Sequence, residues 1–262
     1  MHDDAEIYDT EVSGFRDDIP FWESVVDETR PKRVLELACG TGRLLVPLAR
    51  RVLQHHPRGH IVGLDISEPM LARAREAVAT DAALGGSVEL VAGDMASFGF
   101  GSKFDLIVIA FNSFAFLVEQ AGQIGCLERV RAHLAPGGVF GLDLIVPQVA
   151  WLAISEKTAP HRLEIDLTDP SPGVSRFLRF VTERYDPARQ VEDDLYTYEI
   201  HMTGGEIVRR TSDLAWSMVF PQQLEVLLKV ARLRPTHRYG GYDRAPFNRR
   251  SRQYVWLSQA AD

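Results

Sequence analysis

The sequence predicts an α/β fold built on a parallel sheet, and three observations predict it. Five short, mostly apolar segments alternate with helical segments between residues 33 and 144; strands covered on both faces read this way. A glycine bend, Gly40-Thr-Gly42, links the first of these strands to the helix after it. Polar or glycine residues recur at the carboxyl ends of the strands, namely Glu36, Gly40, Asp65, Asp94 and Asn112. Open parallel sheets bind their ligands at that edge.

Phe21 to Thr29 reads as a short helix ahead of Pro31. Arg33 to Ala38 is the first strand, and residues 43–54 form a helix that ends near His55-His-Pro57. His60 to Asp65 is the second strand, closed by its acid. Ser67 caps the next helix with Pro69 in its first turn, and Gly85-Gly86 stops it after about Ala83. Val88 to Val91 is the third strand and Phe104 to Ile109 the fourth. A helix over 119–134 ends at Pro136-Gly-Gly138, and Val139 to Leu144 is the fifth strand. After about residue 150 the pattern changes. Arg176 to Glu183, Val191 to His201 and Ile207 to Phe220 alternate apolar with polar residues. The turn signals Asp186-Pro187 and Gly204-Gly205 separate them, as in antiparallel strands with one wet face. Pro221 opens a helix through Ala231, and Arg234 to Tyr239 and Gln253 to Leu257 are strands that return to the main sheet.

Composition narrows the function. The chain has 262 residues, 45% hydrophobic and 25% charged, ordinary for a globular protein with a full core. A formal net charge of −7 argues against a general nucleic-acid binder. No apolar run of membrane-spanning length occurs. The acidic start, Met1-His-Asp-Asp-Ala-Glu6, does not read as a signal peptide. Cys39 and Cys126 read as free thiols in a reduced, cytoplasmic protein, Cys39 as a small buried thiol rather than a nucleophile.

The glycine bend lets the backbone turn sharply and lie close to a ligand. Glu36, four residues before Gly40, points to a pocket for a nucleoside with a charged tail. A dinucleotide fingerprint fails because Leu45 stands where its third glycine belongs, and no Lys-Ser or Lys-Thr follows the glycines as a phosphate-binding loop requires.

Glu36-x-x-x-Gly40-x-Gly42, Asp65 at the end of the second strand and Asp94-Met95 after the third resemble the ordered motifs of class I S-adenosylmethionine (SAM) methyltransferases. The resemblance covers residues 33–145, and Gly240 to Phe247 resembles the tail of the amino-sugar N-methyltransferases. It implies a Rossmann-like, seven-stranded sheet with an antiparallel β lid inserted after strand five. The expected segments are an N-terminal arm and helix over the cofactor (1–30), a SAM-binding core (31–150), the lid (151–220), and the return helix and final strands (221–262).

The resemblance also implies roles. Asp65 accepts from the ribose hydroxyls, two oxygens suiting two donors. Asp94 accepts from the adenine amino group, with Met95 and Ile66 packed on the base and Met70 nearby. Backbone at Ala38, Gly40 and Gly42 approaches the methionine moiety, and Glu36 orders the bend. Tyr8 and Arg16, eight residues apart as in the amino-sugar enzymes, fold over SAM. Arg16 forks onto the methionine carboxylate, and Tyr8 sits near the sulfonium. Phe111, Phe114 and Phe116 follow the fourth strand, where the acceptor sits. Phe116 replaces a histidine of many relatives, which removes an obvious base. Tyr8 and Phe116 are therefore the expected catalytic residues, and no metal is expected.

The expected function is methylation of a small molecule, an amine in an amino sugar or specialised antibiotic-type metabolite. Partners are that acceptor and further copies of the chain, with neither nucleic acid nor membrane. O-methylation, a SAM-dependent reaction without methyl transfer, and a SAM-binding scaffold are the alternatives. Glu192, Asp193 and Asp194 read as a solvated hairpin before they read as an amine-attracting patch.

Overall fold

The first five strands form in the expected order, and four of the five apolar runs end at or next to a glycine, a proline or an acid. The computed structural model describes residues 5–261; the first four residues of the expected arm lie outside them. In chain order the elements are α1 (Ala5–Glu11), α2 (Ile19–Thr29), β1 (Arg33–Leu37), α3 (Leu45–His55), β2 (His60–Asp65), α4 (Glu68–Ala79), β3 (Val88–Ala92), β4 (Phe104–Ile109), α5 (Gln120–His133) and β5 (Leu134–Ile145). Then come α6 (Val149–Thr158), β6 (His161–Ser171), β7 (Val174–Asp186), β8 (Val191–Met202), β9 (Ile207–Ser217), α7 (Pro221–Val230), β10 (Leu233–Tyr239) and β11 (Gln253–Ala260). The described residues divide into two units, one of residues up to 15 with 147–218, the other of 16–146 with 219–261. The division falls inside the expected N-terminal arm.

In the larger unit a seven-stranded sheet runs β10-β11-β5-β4-β1-β2-β3. Only β11 opposes its neighbours; it pairs antiparallel with both β5 and β10. Strand order reverses between β1 and β4, so the bend after β1 lies at the switch point where such sheets open a crevice. Burial pins the register: Val34, Leu35 and Leu37 of β1 are fully buried. α3 buries Leu45, Leu48, Ala49 and Val52, a stripe at helical spacing. α2 wedges Trp22, fully buried, against β5. Only glycine fits there, since a Cβ on Gly141 would meet the indole at 2.5 Å. β5 starts at Leu134, ahead of the expected stop at Pro136-Gly-Gly138. Its pairing with β4 shifts register between Phe104 and Leu106, and that irregularity accommodates the proline and glycines.

The smaller unit is a four-stranded antiparallel sheet, β6-β7-β8-β9. It has one strand and two helices more than the sequence predicts, β6, α1 and α6. Phe177, Val181, Tyr196, Tyr198 and Leu214 form its core with Ile7 of α1. Arg179 bonds Glu11 at 3.0 Å and lies over the Tyr196 ring at 4.7 Å. No helix among the described residues is long and apolar enough to cross a membrane.

Candidate active site

The parallel strands bring most of the expected residues to one edge. Glu36 pairs in register with Gly63 of β2 and Val108 of β4, and Asp65 pairs with Ala92 of β3. The bend after β1, the acid ending β2 and the Asp94 loop after β3 therefore stand side by side. Ala38, Gly40 and Gly42 all adopt positive φ, at 57°, 57° and 84°. For Ala38 this is a strained conformation. It is fixed because Cys39 N donates to Leu64 O at 3.0 Å.

Asp65 holds the bend from the other side. One of its carboxylate oxygens accepts from Gly40 N at 2.8 Å and the other from Ser67 N at 2.9 Å. Burial raises its carboxyl above the usual range and these backbone donors oppose the rise. The Gly40 N–H is thus committed within the protein, so Gly40 offers a ligand its carbonyl and its missing side chain. The Ile66 N–H is a third backbone donor to the same carboxylate. Beside it Ile66 is 52% exposed, an apolar surface at the strand edge. Met70 and Met95 are buried. Asp94 is exposed, and its Oδ1 accepts from Ala96 N at 2.8 Å.

Beneath the bend lies a buried charge network that the sequence reading misses. Asp18, the residue before α2, is fully buried, and its carboxylate takes a bidentate bond from Arg43 at 2.7 and 2.6 Å. It therefore caps no helix N–H with its side chain. Arg43 also lies over the Phe111 ring at 4.7 Å. Glu36 is buried and its Oε2 has no hydrogen-bond partner. Burial pushes the Glu36 carboxyl well up, Arg43 opposes, and Asp18 and Asp65 add to the rise. Burial also pushes the Cys39 thiol up, as expected of an inert thiol.

After β4 the backbone turns through Phe111 and Asn112, both at positive φ, 54° and 62°. Two such residues cost on the order of 1–3 kcal/mol each. Asp143 of β5 offsets that cost: its oxygens accept from Phe111 N at 3.0 Å and Asn112 N at 3.2 Å, charge-assisted bonds of about 1.5–3 kcal/mol each. Tyr242 also hydrogen-bonds Asp143, while burial pushes the carboxyl up to about 6. Asn112 Oδ1 reciprocates by accepting from Ile145 N at 3.1 Å. Of the three phenylalanines only Phe116 is exposed, at 37%. Phe114 is fully buried and belongs to the core, and Phe111 is committed to Arg43.

Arg16 is an exposed residue of the larger unit. Tyr8 lies in α1 of the smaller one and is half-buried. The β8 acids correct the solvated-hairpin reading: Glu192 and Asp194 are buried and only Asp193 is exposed. Together with Glu183 they place ligand oxygens within 4.8 Å of one another. Arg162 bonds Glu183 at 2.9 Å, and Tyr196 and Trp216 donate to Asp194 at 2.8 and 2.7 Å. No pattern of short range marks Asp18, Arg43 or Tyr242.

Comparison with known proteins adds the chemistry. Residues 34–138 match the family described as a methyltransferase domain. The dTDP-3-amino-3,6-dideoxy-alpha-D-glucopyranose N,N-dimethyltransferase of Streptomyces fradiae is 34% identical over 110 residues, 42% of this chain and 38% of that one. Nocamycin O-methyltransferase of Saccharothrix syringae is 39% identical over 148 residues, 55% of this chain and 49% of that one. The chain thus spans less than half the length of either curated relative. The structure of the CcbJ methyltransferase from Streptomyces caelestis is similar along nearly its whole length, with a TM-score of 0.75 at 26% identity over 95% of this chain and 92% of that one.

Proposed function

We propose, from the premise that residues 34–138 are a class I methyltransferase domain, that this chain methylates a small molecule with SAM and that the acceptor atom is an amine nitrogen. The observation that carries the reading is the edge shared by the bend at Gly40, the carboxylate of Asp65, the exposed Ile66 and the exposed Asp94. These residues fit an adenosyl group. Asp65 takes the ribose hydroxyls, Ile66 and Met95 take the faces of the base, and Asp94 takes its amino group. Ala38, Gly40 and Gly42 give the methionine chain room, and Arg16 takes its carboxylate. Met70 supports this edge from α4, and Glu36 fixes the bend from below.

When bound, SAM supplies a methyl group already activated by its sulfonium. The protein's contribution is then mainly alignment, which supplies about 7–11 kcal/mol in well-oriented systems. An amine must arrive unprotonated, and apolar surroundings such as Phe116 disfavour its charged form. An aromatic face also attracts a sulfonium by about 0.5–2 kcal/mol. The role given to Tyr8 is part of the same proposal, as is a self-associated state readable by light scattering.

O-methylation is the second reading, favoured by the nocamycin enzyme's likeness to this chain. A hydroxyl needs a proton acceptor. Asp143 is a poor one, since it is buried with both oxygens engaged by backbone donors. Incubation with methyl-labelled SAM and paired panels of amino sugars and their hydroxyl analogues tests the choice. Label on nitrogen is expected. Label only on oxygen supports the second reading, and SAM binding without transfer to any acceptor points to a scaffold.

A further inference from the structure

We infer that Asp143 is a positioning residue for the methyl acceptor: by holding the backbone of Phe111 and Asn112 it sets where Phe116 stands. The inference rests on the proposed function, which gives the turn after β4 to the acceptor.

Four observations carry it. Asp143 is buried and spends one oxygen on each of two successive N–H groups, those of Phe111 and Asn112. Both residues hold positive φ, a conformation that side-chain-bearing residues rarely keep without restraint. The next residues, Ser113–Phe116, form a 3-10 turn that starts from Asn112, so any rotation at Asn112 swings the exposed ring of Phe116. Finally, Phe111 is packed under Arg43, which Asp18 clamps. The acceptor turn is thereby tied to the residue that directly follows Gly42.

Asp143 works through these neighbours and not as a base. Its charge is faced by Asp18 before α2 and by Tyr242 after β10; Arg43 after the bend acts on Tyr242, and Glu36 of β1 joins the network through Arg43 and Asp18. Protonation converts one acceptor oxygen into a donor, so acid releases one of the two N–H groups. With burial holding the carboxyl at about 6, the turn loosens as pH falls through that value.

Hydrogen exchange of residues 110–117, read against residues 60–65 of β2 in the same chain, tests this without reference to activity. In Asp143→Asn the amides of Phe111 and Asn112 are expected to exchange roughly tenfold faster, the loss of about one bond to a charged acceptor. Residues 60–65 should stay unchanged. The acceptor KM should rise about tenfold while kcat and the SAM Kd stay within a factor of about two. Tyr242→Phe keeps the carboxylate and removes a donor that lowers its pKa, so the pH midpoint of exchange in 110–117 should move up. This second variant serves if Asp143→Asn does not fold. Unchanged exchange in Asp143→Asn, or an unmoved midpoint in Tyr242→Phe, overturns the inference whatever the activity. A SAM Kd that rises in step with the acceptor KM also overturns it. Faster exchange in a chain whose wild type transfers no methyl group refutes the functional reading alone.

Discussion

The carboxylate of Asp65 accepts the backbone N–H of Gly40 at 2.8 Å, so the acid that ends β2 shapes the bend that follows β1. In Asp65→Ala the bend loses its restraint and the proposed ribose contact together. SAM affinity is expected to fall by at least about 1.5–3 kcal/mol, measured by calorimetry. Unaltered affinity would reject the assignment.

Arg43 neutralises a carboxylate that is fully buried. Replacing it by methionine strands Asp18, and removing one partner of such a pair costs about 3–5 kcal/mol. Urea denaturation should show that loss for Arg43→Met and much less for Asp18→Asn with Arg43→Met together. Equal stability of the two variants contradicts the role given to the pair.

Trp22 occupies the space that a side chain on Gly141 would need. Gly141→Ala overpacks this contact, and the expected penalty is about 1–3 kcal/mol. Trp22→Phe should relieve part of it. Melting curves that match the wild type for Gly141→Ala rule out the close approach.

Burial raises Glu192 to about 7 and Asp194 to about 6. Both folded values lie above the ordinary ones, so the folded chain binds these protons more tightly than the unfolded chain does. Their stabilising effect is complete below pH ~4 and is lost as pH rises through 6 to 7. Glu192→Gln should therefore stabilise the protein at pH 8, on the order of 1–3 kcal/mol, with little effect at pH 4. A variant that melts earlier than the wild type at pH 8 excludes this account.

Arg16 is exposed, so removing it should spare the fold. Arg16→Ala is expected to weaken SAM about tenfold or more, as loss of a charge-assisted fork implies, and to leave adenosine binding nearly intact. Equal losses for both ligands would undo the carboxylate role.

What the sequence reveals depends on the range of the contact. β1 to β5 announce themselves because a mostly apolar run, ended by a residue such as Gly40, Asp65 or Gly93, is a local signal. The bend and its acids are local too. β6 hides because Leu163, Ile165 and Leu167 alternate between two bulges and meet Pro170. α6 hides because Val149 opens it while 67% exposed, with no side-chain cap. The pairs Asp18–Arg43 and Asp143–Tyr242 join residues far apart in the chain, and only folding brings them together. For Glu192 and Asp194, alternation along β8 shows that they share a face. That the face is dry follows from what covers it.

Both thiols, Cys39 and Cys126, are buried and burial raises the pKa of each. The native chain should therefore be silent toward alkylating reagents. Cys39 lies inside the glycine bend and Cys126 inside α5, so a timed pulse of iodoacetamide followed by mass spectrometry becomes a built-in clock. It counts how often the glycine bend opens against how often the helical layer does, with no residue added to the chain.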